Sequence, residues 1–297
     1  MTGDGNNFLD FVRYGPPNQI AARNMSVNPF ANDGPYSNVF GLEPNYPSFV
    51  TTPDNLSLVQ VYLGPFSTSV TLGSGNTVTA NVATCKIRLY PFSDTLTTTL
   101  VAKSAFTYYV RIPSWVLGGT IAVNGAAAKP VAPVNGLQAV NIAAGTTKFV
   151  LQLPAPITIE SRPHGSIAVH RGPLHYAFDI PRSQKVLATN ARQPMAQDLE
   201  FDATANWQYA IDPATLKFTS SPPASGILPS PIFDSGLTPL KITVNACLIN
   251  WAVAAPTYAA SPPTNPACTG ANTTITLTPY GSTKLRISEF PVLTKPL

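Results

Sequence analysis

Proline is the residue that most constrains how this chain can fold. The 297 residues include 31 prolines, roughly twice the usual share. Proline lacks a backbone N–H and is excluded from helix interiors and central strands, so these prolines require many loops and strand edges. Hydrophobic residues make up 44% of the chain, which is too much for a disordered polypeptide. We therefore expect a folded, loop-rich and mostly β protein.

Short segments of alternating polar and apolar residues recur from about residue 56 onwards. The clearest is 106–112, an aromatic and β-branched run that ends at Pro113. The dipeptide Asn124-Gly125 predicts a tight hairpin turn after Thr120–Val123. Strands at this spacing are typical of a β-sandwich. The remaining strands are predicted at 58–63, 69–72, 76–84, 95–102, 137–142, 147–153, 157–160, 166–170, 174–178, 207–211, 216–219, 240–245, 248–253, 273–277 and 284–287.

The pattern divides the chain into three parts. Residues 1–50 are irregular and predict a tail that packs on another element, residues 51–182 a central β-sandwich domain, and residues 183–297 a second β domain with long Pro/Ser-rich loops. The polar stretch 181–198 predicts a linker. Arg171-Gly172-Pro173 predicts a bulge or bend between two strand segments.

The charge pattern excludes two kinds of partner. The net charge of +4 comes from few, scattered charges, whereas a nucleic-acid surface requires a basic stripe. The longest uncharged stretch, 242–283, is interrupted by Asn, Thr and Pro and lacks the run of about 20 apolar residues that spans a membrane. The first ten residues lack the basic start and apolar stretch of a signal peptide. The localisation is therefore left open.

Disulfide formation and N-glycosylation would both depend on the cellular compartment of the protein. Cys247 and Cys268 flank a proline-rich loop and would form a disulfide under oxidising conditions. Asn24, Asn55 and Asn272 begin Asn-x-Ser/Thr triplets, which would be N-glycosylation sites only in a secreted protein.

Two clusters of polar residues could be either metal-binding sites or solvent-exposed surface residues. His164, His170 and His175 lie close together in the sequence, but His170 and His175 would face opposite sides of an unbroken strand. We favour surface histidines over a zinc site. The residues 198, 200 and 202 are Asp, Glu and Asp and share a face in an extended segment, which would suit calcium. A solvated acidic edge is the interpretation we favour.

The residues alone reveal no catalytic motif. The chain contains no Gly-x-Ser-x-Gly nucleophile elbow, no phosphate-binding glycine loop and no Cys-x-x-Cys pair. Tyr14, Tyr36 and Tyr46 would suit either stacking on sugars or packing of the tail. From the residues, no site can be assigned.

Several segments, taken in order, resemble one family of enzymes. The chain is similar to fungal-type members of glycoside hydrolase family 127, the β-L-arabinofuranosidase-like family. The resemblance runs from about residue 18 to the C-terminus. The matching segments are Asn18-Gln19-Ile20, Pro29 to Ser37, Gly41 to Pro47, Phe106 to Trp115 with Arg111-Ile112-Pro113-Ser114-Trp115, Val123-Asn124-Gly125, Ser166 to Phe178 with Arg171-Gly172-Pro173-Leu174 and Tyr176, Pro279 to Arg286 and Glu289-Phe290-Pro291.

The resemblance implies an (α/α)-barrel catalytic domain followed by β-sandwich domains. It also implies a zinc ion bound by a glutamate and cysteines, with one cysteine as the nucleophile and a separate glutamate as acid/base. A metal-bound thiolate is deprotonated and ready to attack an anomeric carbon. On this basis residues 1–50 are expected to be a remnant of the end of the barrel.

The chain departs from the family where its nucleophile should lie. In relatives, a Cys-Cys pair and an Asn-His-Pro segment follow the stretch that corresponds to Gly41 to Pro47. Here Tyr46-Pro47 runs directly into Ser48-Phe49-Val50. The glutamate ligand, its neighbouring cysteine and the acid/base would precede residue 1. None of the three cysteines, and no other residue, can be assigned a catalytic or zinc-binding role.

We therefore expect a non-catalytic β-sandwich fragment that binds no cofactor. Its natural packing partner would be the missing catalytic domain, and plant-type arabinose-containing glycans would be its ligands if it binds any. Two alternatives stay open: a misread gene product whose true transcript encodes an active glycosidase, and a carbohydrate-binding accessory module. An extracellular location would suit a full-length parent.

Overall fold

The structure is a computed structural model that describes residues 49–61, 63, 66–83, 94–192, 197–221, 223, 233, 236–254 and 258–293. Within these ranges the chain forms β-strands and short 3₁₀ turns, with no α-helix. The all-β fold class predicted from the sequence is confirmed. The predicted barrel remnant at 1–50 falls outside the described residues except for its last two, and so do Asn24, Tyr14, Tyr36 and Tyr46.

The first ten strands surround one hydrophobic core. A four-stranded sheet has the spatial order β1-β2-β6-β9, and a six-stranded sheet has the order β3-β4-β5-β10-β7-β8. The strands are β1 (Phe49–Thr51), β2 (Leu58–Gln60), β3 (Phe66–Thr71), β4 (Thr77–Ala83), β5 (Thr95–Ala102), β6 (Phe106–Arg111), β7 (Thr120–Val123), β8 (Lys129–Pro130), β9 (Leu137–Ile142) and β10 (Gly145–Gln152).

Alternating side chains hold these two sheets together. Tyr108 of β6 and Phe149 of β10 are both fully buried, and their rings meet edge to face with centroids 5.6 Å apart. The Tyr108 hydroxyl donates to Oε1 of Gln60 at 2.8 Å, so the one polar atom of this ring has a partner inside the core. Burial raises the pKa of Tyr108. The period-2 pattern seen in the sequence therefore marks the buried faces of a sandwich.

Most of the remaining strands form one nine-stranded sheet. Its main order is β11-β12-β13-β21-β18-β16, with β17 on β18, β22 on β13 and β23 on β12, while β14 pairs with β15 and β19 with β20 in separate ribbons. The strands are β11 (Ile157–Ser161), β12 (Ser166–Arg171), β13 (Leu174–Asp179), β14 (Arg182–Thr189), β15 (Gln197–Ala203), β16 (Tyr209–Ile211), β17 (Lys217–Ser220), β18 (Leu240–Ile249), β19 (Val253–Ala254), β20 (Tyr258–Ala259), β21 (Cys268–Pro279), β22 (Arg286–Ile287) and β23 (Phe290–Pro291).

Two predictions about this region are wrong. The predicted linker 181–198 contains strand β14, which pairs along its length with β15. Most residues of β14 are exposed. The strand therefore needs no alternation of apolar and polar residues, which is the pattern used to predict strands from the sequence. The bulge or bend predicted at Arg171-Gly172-Pro173 is a hairpin turn that reverses the chain, because Arg171 pairs with Leu174 and Gly172 has a φ of +56°. A positive φ at the first central residue is what such two-residue turns require.

The predicted break between 240–245 and 248–253 is also absent. Strand β18 runs without interruption to Ile249 and pairs with β21, with a shift in register between Cys247 and Ile249. Cys247 and Cys268 are joined by a disulfide across this irregularity. The bond thus ties the two longest strands of the sheet together at the point where their ladder is least regular.

A charged side chain connects the two cores. Nη2 of Arg171, at the end of β12, lies 3.0 Å and 2.8 Å from the two carboxylate oxygens of Asp94, just before β5. Its guanidinium carbon also lies 3.8 Å from the centroid of the Phe218 ring of β17. The arginine is largely buried, so its charge is paired where water is scarce and a lost partner would be costly.

Gly172 packs where these two parts of the chain meet. A Cβ atom at this position would lie 3.0 Å from Cβ of Ala155 and 3.6 Å from the Trp115 ring. We predict that Gly172→Ala lowers the free energy of unfolding in urea by more than the about 1–2 kcal/mol expected from a positive φ alone. Gly118→Ala is the matched control, because Gly118 has a φ of +69° and an added Cβ would have no neighbour within 4 Å. Equal losses in the two variants would contradict this packing account.

The disulfide generates a second prediction. Cys268→Ser removes the bond and leaves the buried Cys247 sulfur in the core. The bond closes a loop with a sequence separation of 21, and we expect its loss to lower the free energy of unfolding by about 3 kcal/mol. Cys85→Ser is the control, since Cys85 takes no part in the bond. An unchanged urea midpoint for Cys268→Ser, measured without reductant, would show that the bond does not contribute.

Candidate functional site

Two of the three histidines that were weighed as zinc ligands lie side by side. His170 of β12 pairs directly with His175 of β13, and their ring centroids are 4.7 Å apart. The hairpin turn between them explains this, because residues that pair across two antiparallel strands share a face. His164 lies in a separate 3₁₀ turn, at Pro163–Gly165. No group of three His, Cys, Asp or Glu side chains suited to a metal ion occurs among the residues that the structure describes.

The histidine pair belongs to a chain of polar contacts at the surface. His170 Nε2 lies 3.0 Å from Glu160 Oε1, and Arg162 donates to Glu160 at 2.7 Å and to Glu289 at 3.0 Å. Hydrogen bonds from Arg162 and His170 hold the pKa of Glu160 below its usual range. Burial lowers the pKa of His175. These contacts tie β11 to its neighbours and to the segment before β23, which is a structural role.

The three acidic residues predicted to share a face lie on β15. Asp198 and Asp202 are exposed and Glu200 is half-buried, and Glu200 lies 3.6 Å from the Lys185 ammonium of the paired strand. Among the predicted sequons, Asn55 lies in a turn with a φ of +57° and Asn272 is exposed on β21. Neither set of residues forms an enclosed site by itself.

A groove of about 670 Å³ lies beside β15, and we take it as the candidate functional site. This volume falls within the range of small-molecule sites. Five parts of the chain form its walls: the residue after β13, β15, the segment before β16, the β19–β20 ribbon and the β22 segment. The lining residues are Ile180, Glu200, Phe201, Asp202, Ala203, Trp207, Val253, Tyr258, Ala259, Leu285, Arg286 and Ile287. We call this feature the aromatic groove, after Phe201, Trp207 and Tyr258.

A second tryptophan supports the Trp207 wall of the aromatic groove. The Trp207 and Trp251 rings are tilted against each other with centroids 5.4 Å apart. Trp251 is buried, and its indole N–H donates to the carbonyl of Ala260 at 2.8 Å. Cys247 packs in the same small cluster. The Trp207 ring is thus half-buried on a tightly packed base, with part of its surface left open.

The disulfide closes a loop that contributes another part of the groove wall. Residues 248–267 lie between the bonded cysteines and include Val253 and Tyr258, both well exposed and both lining the aromatic groove. The Tyr258 side chain is 63% exposed, so packing within the described protein does not account for its position. An exposed aromatic ring in a concave groove is available to a ligand.

Sequence reasoning found the acidic residues and the disulfide but missed the aromatic groove. Trp207 and Tyr258 are separated by the whole of β16, β17 and β18, and no periodic pattern relates them. The sequence feature that could have indicated the groove is the presence of Trp207 and Trp251 in a chain that contains only three tryptophans. The predicted sugar-stacking residues Tyr14, Tyr36 and Tyr46 lie outside the described residues.

Charged side chains of both signs lie at the aromatic groove. Among the lining residues that the structure describes, Arg286 is the basic one, and its guanidinium carbon lies 4.2 Å from the centroid of the Tyr280 ring. The guanidinium also donates to Oγ1 and the carbonyl of Thr283 and to the Tyr280 hydroxyl. Three of its five N–H groups are therefore held by neutral acceptors, and its positive charge is retained.

Comparison with solved structures identifies the fold. The chain is similar to a family 127 β-L-arabinofuranosidase from Geobacillus stearothermophilus T6, with 17% identity and a TM-score of 0.50 over 79% of this chain and 32% of that one. It is also similar to a second glycoside hydrolase (15% identity, TM-score 0.53, 83% and 37% covered) and to another family 127 β-arabinofuranosidase (15%, 0.50, 80% and 35%).

The chain spans about a third of the length of each of these enzymes. No protein-family model and no curated protein matches it, and no described helix is long and apolar enough to cross a membrane. The similarity shows that this chain has a fold found in family 127 glycoside hydrolases.

Proposed function

We propose that this chain is a non-catalytic β-sandwich portion of a family 127-like glycoside hydrolase, whose complete relatives hydrolyse β-L-arabinofuranosides. The observation that carries the proposal is the fold similarity, which extends over about four fifths of this chain but covers about a third of each enzyme. High coverage of this chain together with low coverage of each enzyme is expected if this chain corresponds to one portion of such an enzyme.

The motifs that suggested the family support the same conclusion. Arg111 ends strand β6, and Arg171 and Gly172 lie at the junction of the two cores. Val123-Asn124-Gly125 forms a turn in which Asn124 and Gly125 both have positive φ. These segments occupy positions that hold the β fold together, so their likeness to the family is a likeness of scaffold rather than of catalytic residues.

The position where relatives carry the nucleophile has no counterpart here. Strand β1 begins at Phe49, two residues after Pro47, and the Phe49 ring packs 6.2 Å from the Tyr108 ring in the first core. Only Ser48 separates Pro47 from β1 in the sequence, so the Cys-Cys pair that the family resemblance implies at this point is not present there. The sequence at this point supports the proposal of a non-catalytic portion.

The two cysteines that the structure describes do not fit the zinc chemistry that the family resemblance implies. Cys247 and Cys268 are joined to each other, and a disulfide sulfur cannot supply the thiolate that binds zinc or attacks a sugar. Cys85 lies outside the described residues. We therefore derive no catalytic step through a metal.

The proposal predicts that the purified 297-residue chain releases no arabinose from p-nitrophenyl β-L-arabinofuranoside above the buffer rate, with zinc present and with reductant present. The active family 127 enzyme from Geobacillus stearothermophilus serves as the positive control. Metal analysis of the purified chain should show far less than one zinc per molecule.

A different outcome would overturn the proposal. Turnover that rises in proportion to the concentration of this chain, and that persists in a preparation from a host lacking the enzyme, would establish a catalytic centre. Stoichiometric zinc that is lost in the Cys85→Ser variant would establish a zinc site that includes Cys85 and would also contradict the proposal.

A further inference from the structure

We propose that the aromatic groove is a binding site for a neutral saccharide, with Trp207 and Tyr258 as the stacking faces. This inference goes beyond the proposed function and does not rest on it, because saccharide binding at this groove requires no catalytic residue in the chain.

The aromatic side chains provide the first argument. A sugar ring has an apolar face of C–H groups and an edge of hydroxyls, so its binding site needs both flat apolar surfaces and hydrogen-bond acceptors. Indole and phenol rings supply large, rigid apolar faces at a low cost in conformational entropy. Trp207 precedes β16 and Tyr258 begins β20, and both line one groove, where they offer two such faces to a ligand.

The support beneath these rings provides the second argument. Trp207 packs on Trp251 and on the cluster that contains Cys247, and the loop that carries Tyr258 is closed by the Cys247–Cys268 disulfide. The Trp207 ring is therefore held in place before a ligand binds, so little of its freedom is lost on binding.

Charge provides the third argument and selects the ligand class. Glu200 and Asp202 line the aromatic groove, and carboxylates accept hydrogen bonds from vicinal hydroxyls. Arg286 lines the same groove, and three of its five N–H groups donate to Thr283 and Tyr280. Hydroxyl groups both donate and accept, so a neutral polyol can hydrogen-bond to the carboxylates and to the arginine, whereas a phosphate, a nucleotide or an acidic peptide would be repelled by the two carboxylates.

The test is calorimetric titration of the full chain with a soluble arabino-oligosaccharide, chosen because two of the similar structures act on arabinofuranosides. We expect saturable binding that Trp207→Ala and Tyr258→Ala each weaken about tenfold, as the loss of one stacked apolar face would do. The matched control is Tyr109→Ala, a half-buried tyrosine of β6 outside the groove, which should bind as tightly as the parent chain.

Two further measurements keep the result interpretable. The urea midpoint of each variant shows that it is folded, and Tyr258 is the safer substitution because its side chain is mostly exposed. Raising the salt concentration should leave the affinity unchanged, because a neutral ligand has no ion pairs to screen.

Three outcomes would overturn the inference. They are no saturable binding to arabino-, xylo- or gluco-oligosaccharides, binding that persists unchanged in the Tyr258→Ala variant, and self-association through the groove that Tyr258→Ala abolishes in sedimentation. The last would identify the aromatic groove as a contact between two copies of this chain. None of them bears on the arabinofuranosidase assay, so this inference and the proposed function can fail separately.

Discussion

The pairing of β18 with β21 is the constraint on which the second half of the structure depends. These are its longest strands, with 10 and 12 residues, and β16, β17 and β13 are added to their outer edges. Buried Ile242, Val244 and Leu277 fill the core from this pair. A slip of one residue would turn each of these side chains to the opposite face, so the register of this ladder determines the whole sheet.

The disulfide acts at the one place where that ladder is irregular. Between Cys247 and Ile249 the register shifts, and the covalent link holds the strands where hydrogen bonding alone is interrupted. The same bond closes the loop that carries Tyr258 and Trp251, and Trp251 in turn supports Trp207. Stability of the sheet and shape of the aromatic groove are therefore coupled through a few residues.

The two cores are coupled in a different way, through a buried charge. Arg171 lies between Asp94, which leads into the six-stranded sheet, and Phe218 of the nine-stranded sheet. Asp94 also uses its carbonyl to accept a hydrogen bond from Leu153 at 2.7 Å. Because a buried charge without a partner is costly, this contact favours one relative arrangement of β5, β10 and β12 over looser ones.

Local pattern predicted a large part of this fold. Strands β5, β7 and β9 have the bounds that the sequence predicts. In β5 and β9 buried residues alternate with more exposed ones, whereas all residues of β7 are half-buried. A turn forms at Asn124-Gly125, but β8 begins only at Lys129, so the predicted tight hairpin is absent. Strand β14 was missed because its residues are mostly exposed, so it shows no alternation. The Arg171–Leu174 turn was predicted as a bulge or bend, because a glycine indicates a positive φ without indicating whether the chain reverses direction.

The candidate site was the least predictable part of the structure. The acidic residues of β15 share a local pattern, but the groove that they line depends on long-range packing. Trp207, Trp251 and Tyr258 meet only after β18 and β21 have paired and the disulfide has closed the loop between them. The spacing of these residues along the chain does not predict that they lie near one another. Two of the three are tryptophans, which are rare in this sequence, and this is the one feature that singles them out.

The two proposals together describe a scaffold that binds a saccharide without cleaving it. They are supported by a fold found in family 127 glycoside hydrolases, by the disulfide that joins the two cysteines that the structure describes, and by a groove lined with aromatic rings and carboxylates. On these proposals, the role of this chain would be recognition of a saccharide, with hydrolysis left to a catalytic domain.

A crystal structure of the full chain soaked with an arabino-oligosaccharide tests this account most directly. It predicts an intact oligosaccharide in the aromatic groove, with one sugar ring stacked on Trp207 and another on Tyr258 and with hydroxyls within hydrogen-bond distance of Glu200 or Asp202. A cleaved sugar, or an oligosaccharide bound elsewhere while the groove holds only solvent at saturating concentration, would contradict it.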